Sequence, residues 1–122
     1  MSSSSLLLRA QELDEQLRRH QLMQLTAEQT CKDFAMSGIP FMFSEEAAPP
    51  YAIMHAQLVG QIQHLLKTSR SKLVALLYRI DLSEEEIRNG VQYLQPYDYI
   101  EAMAHLILVR EFQKVCRRLN LM

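Results

Sequence analysis

Residues 96–119 read PYDYIEAMAHLILVREFQKVCRRL, and this stretch decides the fold. Its apolar residues recur at the three- and four-residue intervals of one helix face: Ile100, Met103, Ile107, Leu108, Phe112, Val115 and Leu119. Pro96 suits the first helical turn, where its missing N–H costs nothing. Lys114, Arg117 and Arg118 have the sign of charge favoured near a helix C-terminus. We therefore predict one long final helix that begins at Pro96.

The segments before this helix carry the same helical period. Ser83 and Glu86 form a capping-box pattern that predicts the start of a short helix. Pro50 is well placed as the first residue of another helix, which we expect to end near residues 67–71. A further helix follows it and stops around Asp81.

The first third of the chain allows two interpretations. Leu6, Ala10, Leu13 and Leu17 repeat at helical spacing, and Gly38 is a suitable stop. Residues 5–37 form either one long helix or two, with a kink expected near residues 20–26. Within that region Thr26 and Gln29 match a capping box that would start or restart a helix.

The composition supports an all-α fold. The chain has 122 residues, of which 48% are hydrophobic, only three are glycine and four are proline. Leu, Met, Ala, Gln and Glu dominate, and these residues lose little side-chain freedom in a helix. We predict a compact bundle of about five helices in a single domain over residues 6–122. We expect the Ser-rich residues 1–5 to be disordered and residues 38–50 to form one long Pro-containing loop.

Several classes of protein are disfavoured. No apolar run approaches the roughly 18 residues of a membrane span, and the short run Leu6–Leu8 is too brief for a signal peptide. With two cysteines, we expect a reduced, cytoplasmic protein. The turn at residues 81–83 resembles a helix-turn-helix, but Glu84, Glu85 and Glu86 would then face the phosphates that repel them. Nucleic-acid binding is therefore not expected.

One resemblance appears in the C-terminal half. The stretch KLVALLYRIDLSEEE (72–86), followed by AHLILVREFQKV (104–115), resembles segments of small, uncharacterised all-helical bacterial proteins. The resemblance implies a helical fold and a bacterial source. It assigns no functional residue.

Catalytic, metal and cofactor motifs are not evident in the sequence. Cys31 and Cys116 are far apart and show no zinc-ligand spacing. We interpret both as core cysteines, although Arg117 and Arg118, which follow Cys116, are of the type that lowers a thiol pKa. Glu101 and His105 come nearest to a constellation, because the i, i+4 spacing puts them on one helix face. We interpret them as a helical ion pair and expect no catalytic residue, no metal and no cofactor.

The 38–50 loop is the most informative feature for function. Its candidate interaction residues are Ile39, Phe41, Met42 and Phe43, four apolar side chains within five positions. They either close over the core as a lid or present a surface to another molecule. We expect a non-catalytic helical module that binds a protein partner or itself through this loop. A homodimer is expected because the apolar stripe of the last helix is wider than we expect one small bundle to cover. The alternative is a small-molecule-binding protein or enzyme with an inter-helix pocket under the loop.

Overall fold

The computed structural model describes residues 8–19, 21–44 and 50–121. Over these residues it is all-α and forms a helical bundle, as predicted. The six helices are α1 (Ala10–Leu17), α2 (Leu22–Met36), α3 (Pro50–Thr68), α4 (Arg70–Arg79), α5 (Glu84–Tyr93) and α6 (Tyr99–Arg118). None of them is both long and apolar enough to cross a membrane.

The final helix α6 is the centre of the bundle. It packs against α2, α3 and α5, and every side chain from Ala102 to Val109 is buried. Its apolar stripe is therefore covered within one chain, down to Val115. The expectation of a stripe too wide for one bundle was wrong, because helices surround α6 on several sides instead of covering one face.

The helix boundaries follow the sequence signals in most places. Pro50 begins α3, and α5 begins after Ser83, whose side chain accepts a hydrogen bond from the Glu86 backbone N–H. The chain turns at Gly38, which has a φ of +83°, just after α2 ends. Glycine adopts this left-handed conformation without the steric cost of a side chain.

Two boundary predictions were wrong. Helix α6 begins at Tyr99 instead of Pro96, because Asp98 and Glu101 form a reciprocal capping box there. Thr26 starts no helix, since it is buried in the middle of α2. The break between α1 and α2 lies instead at residues 18–21, where Gln21 adopts a left-handed conformation. The N-terminal third therefore holds two helices. His20, within that break, and residues 1–5 lie outside the described residues.

Candidate functional site

The apolar loop packs onto the bundle over the part that the structure describes. Ile39 is only 1% exposed. The Phe41 ring centroid lies 5.0 Å from that of Phe34 and 4.9 Å from that of Phe43. Of the four candidate residues, only Met42 is exposed, at 83%. Ile39, Phe41 and Phe43 therefore belong to the core and its edge, as the lid alternative expects, and Ile39 is not a surface residue. Residues 45–49 of the loop lie outside the described residues.

The outer side of α4 presents an apolar ridge instead. Leu76 is fully buried and anchors the helix on the bundle. Val74 and Tyr78 lie two positions before and after it, so at about 100° per residue both point within about 20° of the direction opposite to Leu76. Val74 is 65% exposed and Tyr78 is 90% exposed. Because Leu76 faces the core, Val74 and Tyr78 point towards the solvent.

A depression borders Tyr78 on each side. One is an apolar groove of about 460 Å³ formed by residues from α3, α4, α5 and the start of α6. Its floor and walls include Leu66, Leu73, Leu77, Leu82, Ile87 and Met103. The other, of about 470 Å³, lies on the side of α2 and is lined by Met36, Ser37, Ala75, Tyr78 and Arg79. Tyr78 lines both and stands between them.

The exposed apolar side chains concentrate at this site. Seven large hydrophobic side chains are exposed among the described residues, and four of them line the two depressions. These four are Met36, Val74, Tyr78 and Tyr99. We call this surface, with its two depressions, the α4 face. Sequence reasoning missed it, although Val74 and Tyr78 lie opposite the buried positions of α4 on a helical wheel.

The charges around the α4 face are segregated by sign. Helix α4 has exposed basic residues and no acidic ones, whereas the segment after it is acidic and exposed. The basic residues are Arg70, Lys72 and Arg79, and the acidic ones are Asp81, Glu84 and Glu85. Arg70 and Glu84 both line the apolar groove.

Glu101 and His105 do not form the expected ion pair. Glu101 is held at the start of α6, where its Oε1 accepts a hydrogen bond from the Asp98 backbone N–H at 2.9 Å. His105 is fully buried and bonds elsewhere. Although they are four positions apart on one helix, Glu101 caps the start of α6 and His105 packs in the core.

His105 belongs to a buried cluster with aromatic residues. Its Nε2 lies 2.6 Å from the Leu8 carbonyl oxygen, and its Nδ1 lies 2.7 Å from the Tyr51 hydroxyl. Because a carbonyl oxygen only accepts, Nε2 carries the proton and Nδ1 accepts from Tyr51. The Tyr51 hydroxyl then accepts from Tyr97, at 3.0 Å. Burial lowers the pKa of His105 to about 4, so the imidazole is neutral.

The second histidine of this cluster is stacked between two tyrosine rings. The His55 ring centroid lies 5.2 Å from that of Tyr51 and 4.7 Å from that of Tyr97, each at 14° between planes. Its Nε2–H donates to the Glu101 carbonyl oxygen at 2.8 Å, and burial lowers its pKa. The cluster fastens α3 and α6 to Leu8, so we assign it a structural role. Neither depression on the α4 face includes any of its members.

A second polar group is buried between α2 and α6. Asp33 is 3% exposed and Glu111 is fully buried. Lys114 Nζ donates to Asp33 Oδ2 at 2.6 Å, and Gln29 Nε2 donates to the same oxygen at 3.3 Å. The carboxyl group of Glu111 lies against that of Asp33, and a proton on Glu111 lets it donate a hydrogen bond to the Asp33 carboxylate.

The cysteines are not activated as nucleophiles. Cys31 is partly buried and Cys116 is buried, and both are unpaired thiols. Burial raises the pKa of each thiol, the opposite of the lowering expected from the arginines after Cys116. Among the described residues, no three His, Cys, Asp or Glu side chains are grouped as metal ligands would be.

Comparison of the chain with family models, curated proteins and solved structures finds no match.

Proposed function

We propose that this protein is a non-catalytic protein-binding module and that its binding surface is the α4 face. The observation that carries the proposal is the concentration of exposed Met36, Val74, Tyr78 and Tyr99 around two depressions. Scattered exposed hydrophobic residues are ordinary, but a contiguous patch with charged residues around it is typical of an interaction site.

Tyr78 has the features of a binding anchor. Tyrosine buries a large rigid ring at low entropic cost, and it is enriched among the residues that dominate interface energies. Exposing 90% of such a ring to water has no evident benefit to the isolated chain. Of the four candidate loop residues, only Met42 is exposed, so the α4 face replaces the loop as the proposed surface.

The cell compartment and source are part of the proposal. Two unpaired cysteines suit a reducing cytoplasm. The resemblance of residues 72–86 and 104–115 to small bacterial helical proteins supports a bacterial source.

Site-specific photo-crosslinking tests the binding surface. A photoreactive phenylalanine analogue at position 78 should form covalent adducts with a polypeptide when the protein is irradiated in its own cells. The same analogue at the exposed position 15, on α1, is the matched control and should form none. Adducts at neither position, or equally at both, would contradict the proposal.

One observation supports a second candidate, a binding protein for a small apolar molecule. The groove beside α4 has a volume of about 460 Å³, within the range of small-molecule sites. Neither depression includes a residue from 39–44, so the groove, and not a pocket beneath the loop, would be the ligand site. Native mass spectrometry of gently purified protein would then show a bound molecule that is lost when Leu77→Arg fills the groove. A bare chain mass would contradict this candidate.

A further inference from the structure

We propose that the partner of the α4 face is a second copy of this chain, bound about a two-fold axis. This inference rests on the proposed function, because it names the occupant of the same surface. It makes the protein a homodimer whose two α4 helices pack antiparallel across the interface.

The first argument is shape. A two-fold interface uses the same patch on both copies, so the patch must carry both a projection and a recess that receives it. The α4 face has both, since Tyr78 projects between the apolar groove and the second depression. A patch that only bound a different protein would need no such self-complementarity.

The second argument is register. Val74 and Tyr78 are equally distant in sequence from Leu76, at the middle of α4. A two-fold axis level with Leu76 therefore places Val74 of each copy opposite Tyr78 of the other. Ser71 and Ala75, which lie beside this ridge and are both exposed, are small enough to let the two helix backbones approach.

The third argument is charge. In the antiparallel arrangement, the start of α4 in one copy lies against the end of α4 in the other. Arg70 then faces the acidic segment 81–85 of the second copy, twice in each dimer, while Lys72 lies level with Ile80, between Arg79 and Asp81. A parallel arrangement would instead place like charges together, so the charge pattern selects the antiparallel one.

The size of the surface sets the expected affinity. A ten-residue helix is about 15 Å long, so two such helices and their flanks form a small interface. Interfaces at the lower end of the size range are usually transient. We therefore expect a Kd on the order of micromolar.

Sedimentation velocity over a concentration series is the first test. The wild-type protein should shift from the mass of one 14.2 kDa chain towards twice that mass as concentration rises. Tyr78→Ser should weaken association by about tenfold or more. Met42→Ser removes an equally exposed apolar side chain from the loop and should leave association unchanged. A wild-type chain that stays monomeric up to about 1 mM would overturn the inference.

A charge-reversal mixing experiment tests the two-fold arrangement itself. In the proposed dimer, position 70 of each chain lies near position 84 of the other. Arg70→Glu makes both positions acidic in each chain, and Glu84→Arg makes both basic. Each variant alone should therefore associate about tenfold or more weakly than wild type, because both cross-interface contacts become repulsive. An equimolar mixture should recover association, since every contact in the mixed dimer is then attractive.

Contacts within one chain cannot produce that recovery, because mixing changes only the contacts between chains. Circular dichroism of each variant establishes that it is folded. A mixture that associates no better than its components would overturn the antiparallel two-fold arrangement.

Crosslinking at position 78 separates this inference from the proposed function. Adducts that contain only this chain's own peptides support both. Adducts with a different polypeptide overturn the second-copy inference and leave the protein-binding function in place. The absence of any adduct contradicts both.

Discussion

Glu111 lies beside Asp33 in the interior of the bundle, and the pKa values of these two carboxyl groups move in opposite directions. Burial and the adjacent Asp33 raise the pKa of Glu111 to about 9. Burial alone would raise the pKa of Asp33 as well, but contacts with Glu111, Lys114 and Gln29 lower it. At neutral pH the site therefore holds one charged carboxylate, paired with Lys114, and one neutral carboxylic acid.

This arrangement predicts that the protein loses stability as the pH rises from about 6.5 to 8. In the unfolded chain Glu111 has a pKa of about 4.3, so above that pH the folded state holds a proton that the unfolded state has lost. The contribution of Glu111 to stability is complete below about pH 4.3 and is lost as the pH approaches 9. The slope is at most about 1.4 kcal/mol per pH unit.

Urea denaturation at several pH values measures this slope. Glu111→Gln keeps the shape of the protonated acid and cannot ionise, so it should remove the slope between about pH 6.5 and 8. Glu15→Gln, at an exposed position on α1, should leave the slope unchanged. The window avoids the buried histidines, since His105 has its pKa lowered to about 4 and destabilises the fold only as the pH falls below about 6.5. A slope that survives in Glu111→Gln would show that Glu111 is not the group responsible.

A structural feature can be predicted from the sequence when it depends on residues that are close together in the chain. Pro50 and the Ser83–Glu86 box predicted the starts of α3 and α5, because a helix start is determined by a few neighbouring residues. The Asp98–Glu101 box has the same form, and it starts α6 three residues after the start predicted at Pro96. The Thr26–Gln29 pattern wrongly predicted a helix start, because Thr26 packs into the core as an interior residue of α2.

The buried clusters were beyond prediction from the sequence. Tyr51 and His105 are 54 positions apart, and Lys114 and Asp33 are 81 positions apart. No periodicity or motif indicates which distant residues will meet, because the packing of whole helices decides it. The α4 face was predictable in part. The helical wheel shows Val74 and Tyr78 on one side of α4, but only the fold shows that no described helix covers them.

The loop provides a second prediction, which separates a core lid from a free binding surface. Ile39→Ala should destabilise the protein by about 2–4 kcal/mol, because Ile39 is buried to 1% exposure. Met42→Ala, three positions along the same loop, should change stability by less than about 0.5 kcal/mol. Thermal unfolding of both variants measures the difference. Equal, small effects would restore the loop as a free surface.

The histidine–tyrosine cluster provides a third prediction. Tyr51→Phe removes the donor to His105 Nδ1 and leaves a buried nitrogen unsatisfied, so we expect a loss of about 1–3 kcal/mol. Tyr78→Phe removes the same hydroxyl from an exposed ring, where no buried group loses a hydrogen-bond partner. It should leave the stability nearly unchanged. Equal effects of the two changes on the urea midpoint would show that the hydrogen bond contributes nothing.

Two helical glycines provide the last prediction, because they differ only in what surrounds them. Gly60 lies within α3, and a Cβ there would meet nothing within 4 Å. Gly60→Ala should therefore stabilise the protein by about 0.5–1 kcal/mol, the usual gain when alanine replaces glycine in a helix. At Gly90 on α5 a Cβ would lie 2.8 Å from Leu106 Cδ1, a side chain that is fully buried on α6.

Gly90→Ala obtains the same gain in helix propensity but must displace a packed leucine, which costs about 1–3 kcal/mol. We expect it to lower the unfolding temperature while Gly60→Ala raises it. Since propensity is the same at both sites, the difference between the two shifts measures how closely α5 must approach α6. Stabilisation by both substitutions would mean that Leu106 moves aside freely and that the α5–α6 contact is looser than the structure shows.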